Sequence, residues 1–186
     1  EGAYAAEDQP TVFKITPLAQ PAGLDALLAA RGYRREGETS VQLLEPLIGC
    51  ARDPACTLCD PLADDWLSAF TRLDATPLQH QPALRAILSR IAPPHTAALL
   101  REGGAVASCG RAVLEGEQVG LFDIATDPAL HRRGCAGRLI GHLLAWGQEH
   151  GARRAYLQVE LDNAAACRLY GRLGFREAYR YWYRVR

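Results

Sequence analysis

The chain has 186 residues, 48% of them hydrophobic and 23% charged, enough for one large domain with a core of its own. Its 21 basic and 21 acidic residues cancel, which argues against a nucleic-acid or anionic-membrane surface built on net charge. No apolar run approaches the roughly 18 residues of a membrane span, and the first residues do not read as a signal peptide, so a cytoplasmic protein is expected.

In chain order, TVFKIT (11–16) is rich in β-formers and ends at Pro17 and Pro21, which predicts a strand. GLDALLAARGY (23–33) spaces its apolar residues as one helix face with Gly32 as C-cap, and TSVQLLEP (39–46) predicts a strand stopped by Pro46. Residues 47–61 are rich in Cys, Asp and Pro and mark an internal boundary. Cys50, Cys56 and Cys59 lie there as C-x5-C-x2-C. A zinc site usually takes four ligands, and three with no close histidine predict free thiols and no metal.

Helices are expected near 62–73 and 82–91, then strands near 96–101, 105–114 and 118–126 with turns at Gly103-Gly104 and Glu115-Gly116. A helix from Cys135 to Gly151, a strand at 155–160, a helix at 164–173 and a final strand YRYWYRV complete the chain. An antiparallel meander followed by strand–helix–strand–helix–strand predicts an α/β (α+β) fold with a central mixed sheet flanked by helices. The chain opens at Glu1 and holds no Met, so its native start is expected to be missing or processed.

The junction IATDPALHRRGCAGRLIGHLLAWGQEHG (124–151) carries the first chemical signal. A strand ends at Thr126, Pro128 breaks it, and a small-residue loop enters a helix whose buried stripe is Ala136, Leu139, Ile140, Leu143 and Leu144. Gly134, Ala136 and Gly137 allow close approach to the backbone, and the first-turn N–H groups carry roughly half a positive charge. The stretch Arg132, Arg133, Gly134, Cys135, Ala136, Gly137, Arg138 therefore reads as a pyrophosphate cradle; a plain strand-to-helix turn with exposed arginines is the alternative. A Rossmann G-x-G-x-x-G is not matched, since Arg132 stands at its first glycine, and no Walker A lysine follows.

ATDPALHRRGCAGRL followed by YLQVELDNAAACRLYGRLGF resembles the GNAT acetyltransferase superfamily over roughly residues 90–186. Its loop pattern Q/R-x-x-G-x-G/A is met at Gly134 and Ala136, with His131 in the opening position. Its second pattern, N-x-x-A-x-x-L-Y-x-x-x-G-F, is met by Asn163, Ala166, Leu169, Tyr170, Gly174 and Phe175. The resemblance looks closest to the branch that acetylates protein N-terminal amines.

It implies acetyl-CoA as donor and the primary amine of a small molecule, peptide or protein as acceptor, attacking the thioester directly. It places the backbone of Ile124, Ala125 and Thr126 along the pantetheine arm, Asn163 with the cofactor, and Tyr170 as the acid for the departing thiolate. A splayed strand end there is expected to offer an N–H to the developing oxyanion. The branch's glutamate falls on Gln158, which cannot take a proton, so Glu160 is the candidate base, with Asp123 and His131 as rivals. No nucleic acid, membrane or metal is implied, and a second copy of the chain is the candidate protein partner. A non-catalytic acyl-CoA binder and a transferase of longer acyl chains remain as alternatives. The near-neutral charge argues against an aminoacyl-tRNA donor.

Finally, the chain ends as it begins. At an offset of 142, Leu27, Gly32, Tyr33 and Arg34 fall on Leu169, Gly174, Phe175 and Arg176. Leu28 stands where Tyr170 stands and Pro21 where Asn163 stands. Residues 1–46 are expected to be a degenerate partial GNAT-like repeat, 47–61 a linker, and 62–186 the N-acetyltransferase domain, with the first strip docked on the rest or on a second chain.

Overall fold

Residues 10–186 are described by the computed structural model. They form β1 (Val12–Ile15), α1 (Leu24–Ala30), β2 (Arg34–Leu44), β3 (Cys56–Cys59), α2 (Asp64–Leu73), α3 (Gln81–Leu88) and β4 (His95–Glu102). Then follow β5 (Ala105–Glu115), β6 (Gln118–Thr126), α4 (Cys135–Glu149), β7 (Arg154–Glu160), α5 (Ala164–Arg172) and β8 (Arg176–Val185). Two units result: 44–157, and 10–43 together with 158–186.

In the unit 44–157, β3, β4, β5 and β6 pair antiparallel and β7 joins β6 in parallel, so the sheet is mixed, as the element order implies. Period-two alternation sends neighbouring residues to opposite faces. Cys109 packs with Ala97 and Leu99 against Trp66 and Phe70 of α2. The Trp66 and Phe70 rings stack at 5.2 Å, and Trp66 Nε1–H donates to Gly110 C=O at 3.1 Å. On the other face, a Cβ on Gly110 would lie 2.4 Å from Ile124 and 3.2 Å from Leu139 of α4, so a side chain there would force Ile124 to shift. Leu139, Ile140 and Leu143 are fully buried, worth about 1.5–3 kcal/mol each.

The segment 47–61 is not loop throughout. Its CTLC stretch is an edge strand, with Cys56 opposite Leu100 and Cys59 opposite Ala97. No helix among the described residues is long and apolar enough to cross a membrane.

In the other unit β8 lies between β1 and β2, antiparallel to both, and residues 158–160 of β7 follow beyond β2. The helix ends at Gly32 and Gly174 share one backbone geometry. Gly32 (φ 82°) and Gly174 (φ 95°) both adopt the left-handed conformation after their helices. Tyr33 N–H donates to Leu28 C=O and Phe175 N–H to Tyr170 C=O, each at 3.0 Å. Across the β2–β8 ladder Thr39 faces Tyr181, two positions related by the same offset. Pairing antiparallel about an equivalent pair is what a local two-fold axis produces. Thus β2 and β8 lie side by side, and the N-terminal strip belongs to the unit that holds the chain's end. Asp25 on α1 fastens it, accepting from Trp182 Nε1 at 2.7 Å and from Arg184 at 2.8 and 2.9 Å.

Candidate active site

In the unit 44–157, the β6–β7 ladder covers Gln118↔Arg154, Val119↔Ala155 and Gly120↔Tyr156 and stops there, although β6 runs on to Thr126. The Tyr156 ring closes that end. It packs edge-on to Phe122 at 5.9 Å, and its hydroxyl donates to Glu115 at 2.7 Å. Beyond it β6 bulges, with Asp123 and Ile124 together opposing Gly110 and Asp123 at φ 55°. The Arg111 guanidinium pairs with Asp123 and lies over the Phe122 ring, which holds this backbone in place. Asp123, a rival for the base, is therefore engaged in an ion pair.

The final residues of β6 turn their side bonds toward β5. Ser108 Oγ donates to Ala125 C=O at 2.7 Å and lies 2.9 Å from Thr126 Oγ1. His131, in the loop pattern's first position, folds its Nε2 back to Thr126 C=O at 3.1 Å. Asp127 caps the turn Pro128–Leu130 by accepting from Ala129 N–H at 2.9 Å.

The loop then reaches α4 through Arg132 (φ 63°) and Gly134 (φ 82°). The first intrahelical bond runs from Arg138 N–H to Gly134 C=O at 3.0 Å. The N–H groups of Cys135, Ala136 and Gly137 therefore precede the helical ladder and point outward from its positive end. A Cβ on Gly134 would meet nothing within 4 Å, so the approach to these groups is open.

The three arginines part company. Arg138 donates to Asp53 at 2.7 and 3.1 Å and also pairs with Glu102, so two carboxylates neutralise it. Arg132 and Arg133 are exposed and carry the loop's positive charge. Asp53 also presents its N–H to His142 Nδ1 at 3.0 Å, tying the segment before β3 to α4. Burial and the Arg52 charge hold the His142 pKa below its ordinary value. Cys56, Cys59 and Cys109 make poor nucleophiles. All six are free, and burial first of all lifts Cys56 and Cys59 to about 11 and Cys109 to about 12.

In the other unit, Asn163 is the N-cap of α5, its Oδ1 accepting from Ala166 N–H at 3.1 Å. Tyr170 is buried against Phe175, ring centroids 6.0 Å apart. Its hydroxyl has no hydrogen-bond partner among the described residues. Burial, helped by nearby Cys167, raises its pKa, so the phenol keeps its proton at neutral pH. Glu160 is exposed. Its carboxylate, after burial and the neighbouring Tyr181, helps push the Tyr183 hydroxyl up.

Sequence reasoning missed the neighbours of Gln158. Tyr181 donates its hydroxyl to Gln158 Oε1 at 2.7 Å, which leaves the Gln158 amide as a donor. Tyr183 meets Tyr181 edge-on at 5.6 Å, and the Lys14 ammonium lies 3.7 Å from the Tyr181 ring centroid. The alternation in YRYWYRV was the available signal, since it sets 179, 181 and 183 on one face.

In the unit 44–157 the parallel pair of a mixed sheet parts early, and β6, still paired with β5, leads to an open helix N-terminus. The family model described as acetyltransferase (GNAT) family matches residues 59–175, and the chain belongs to that family. It is 25% identical to the uncharacterized N-acetyltransferase YobR of Bacillus subtilis over 189 residues, 98% of this chain and 76% of that one. It is 42% identical to the ribosomal protein bS18-alanine N-acetyltransferase of Salmonella typhimurium over 62 residues, 33% of this chain and 42% of that enzyme. Among solved structures, a GCN5-related N-acetyltransferase from Sphaerobacter thermophilus matches with TM-score 0.70 at 16% identity, covering 95% of this chain and 60% of that chain. The chain thus spans less than half of the Salmonella enzyme and three fifths of the Sphaerobacter chain.

Proposed function

We propose that the chain transfers an acetyl group from acetyl-CoA to a primary amine, by direct attack of the amine on the thioester. The donor's pyrophosphate rests on the backbone N–H groups of residues 132–137, with Arg132 and Arg133 as its cations and Asn163 holding the start of α5 beside the cofactor. Ile124, Ala125 and Thr126 run along the pantetheine arm as one strand edge runs along another.

Tyr170 gives its proton to the departing thiolate. The observation that carries this reading is its hydroxyl: a phenol that keeps its proton at neutral pH, as any tyrosine does, and is bonded to nothing among the described residues. A core tyrosine normally places its O–H on a partner, whereas an acid must keep it free for the leaving group. Glu160 accepts the acceptor's proton, directly or through water, while the Gln158 amide binds an oxygen of the acceptor. The likeness to the bS18-alanine enzyme favours a peptide or protein N-terminal amine as acceptor. The first 46 residues are a degenerate repeat that binds no second cofactor.

The test is Tyr170→Phe. Removing a positioned acid costs about 10²–10⁴-fold in rate. The variant should lose kcat by that order while CoA affinity stays within about twofold. Unchanged kcat in a folded variant overturns the assignment.

A further inference from the structure

Lys14 is the only lysine in the chain; the other 20 Lys and Arg residues are all arginine. Where cations stack on aromatic rings elsewhere, arginine does the stacking: Arg35 on Trp182, Arg111 on Phe122 and Arg186 on Tyr33. Arginine is also the better stacking cation, planar and weakly hydrated. Only at Tyr181 is the cation an ammonium, 3.7 Å from the ring centroid. An ammonium differs from a guanidinium in one chemically decisive way. It is a primary amine that becomes a nucleophile once it sheds a proton, whereas a guanidinium keeps its charge.

Its surroundings include the residues assigned above to the acceptor. Tyr181 bonds Gln158, the residue at the position of the N-terminal-amine branch's glutamate. Tyr183 packs on Tyr181 and feels the Glu160 charge. Lys14 stands opposite Tyr183 in the β1–β8 register and is exposed. The N-terminal strip therefore delivers the chain's one side-chain amine to the tyrosine pair that adjoins Gln158 and Glu160.

We infer that Lys14 is an internal acceptor: the protein acetylates its own Lys14 Nζ from acetyl-CoA. The inference rests on the acetyltransferase reading above. The neutral amine attacks the thioester carbonyl carbon, the C–N bond forms and the C–S bond breaks. CoA leaves as the thiol, taking one proton, and the second proton lost from the ammonium goes to solvent. The product is acetyl-lysine at 14, which has no charge for the Tyr181 ring.

The experiment incubates the full chain with isotope-labelled acetyl-CoA and no added amine, followed by peptide mapping. Parallel samples hold Lys14→Arg, which keeps a cation on Tyr181, Tyr170→Phe, and the heat-denatured wild type. A separate sample adds a panel of external amines and reads CoA thiol release. The inference expects label at Lys14 approaching one per chain, at a rate independent of protein concentration. It expects no label in Lys14→Arg and at least a tenfold slower reaction in Tyr170→Phe. Thiol release with external amines but no label at Lys14 overturns the inference and leaves the acetyltransferase reading standing. Equal labelling of native and denatured chain overturns it as uncatalysed chemistry, and a rate proportional to protein concentration overturns the internal route. Neither label nor thiol release with any amine overturns both.

Discussion

Gly134→Val probes the phosphate cradle, and the structure separates its two consequences. Gly134 sits at φ 82° as the N-cap of α4, a conformation that costs an ordinary residue about 1–2 kcal/mol and a β-branched one at least that. No internal clash adds to this, because a Cβ there meets nothing within 4 Å. For a chain of this size each kcal/mol moves Tm by about 2–4 °C, so the variant should melt about 2–8 °C lower and still fold. The effect on CoA should be larger. The isopropyl group stands in the open approach to the N–H groups of 135–137, and relaxation away from positive φ would re-aim them. A loss of well over tenfold in affinity, more than about 1.4 kcal/mol, is expected in a calorimetric titration. Gly134→Ala, with the strain but without the branch, should fall between. A folded Gly134→Val with wild-type CoA affinity would refute the cradle.

Two glycines should respond to alanine with opposite signs. At Gly120 a Cβ would lie 2.6 Å from Tyr156 Cζ and 2.7 Å from Phe122, so Gly120→Ala should cost about 1–3 kcal/mol; at Gly141, where nothing lies within 4 Å, alanine should stabilise α4 by about 0.4–1 kcal/mol. Thermal unfolding of both variants decides, and equal shifts would contradict the packing described. The Arg184 and Trp182 bonds to Asp25 hold its pKa down at about 2 against an ordinary 3.8. The folded state thus binds fewer protons than the unfolded one between those values. This contribution is present above about pH 4 and fades as pH falls toward 2, and Asp25→Asn should flatten that part of the acid-unfolding profile. CoA titration should give one site per chain, abolished by changes at 132–137 alone; a second site surviving them would show that the N-terminal copy still binds.

Much of this molecule is legible in its sequence because the signals are local. The turns Gly103-Gly104 and Glu115-Gly116 separate three alternating strands, and the observed β4, β5 and β6 differ from the expected bounds by one residue at most. The loop into α4 is legible because small residues and a positive φ at Gly134 are backbone requirements written at single positions. What escaped depends on distant partners. CTLC is four residues set among Asp and Pro, and only β4 makes it a strand. β2 begins at Arg34 rather than near 39 because β8 supplies the pairing for a charged stretch. The place of Arg138 in the loop does not reveal that Asp53, 85 residues away, and Glu102 pair with its guanidinium. Likewise the spacing that points to Gln158 cannot reveal that Tyr181 fixes its amide.

The central claim is acetyl transfer to an amine, and product analysis tests it most directly. The full chain is given acetyl-CoA and peptides differing in their N-terminal residue, and mass spectrometry of the peptide is run beside thiol detection. The account predicts an N-acetylated peptide formed one for one with released CoA, with the rate falling by about 10²–10⁴ in Tyr170→Phe. Tight CoA binding with no acetylated amine from any peptide or small-molecule amine would contradict it.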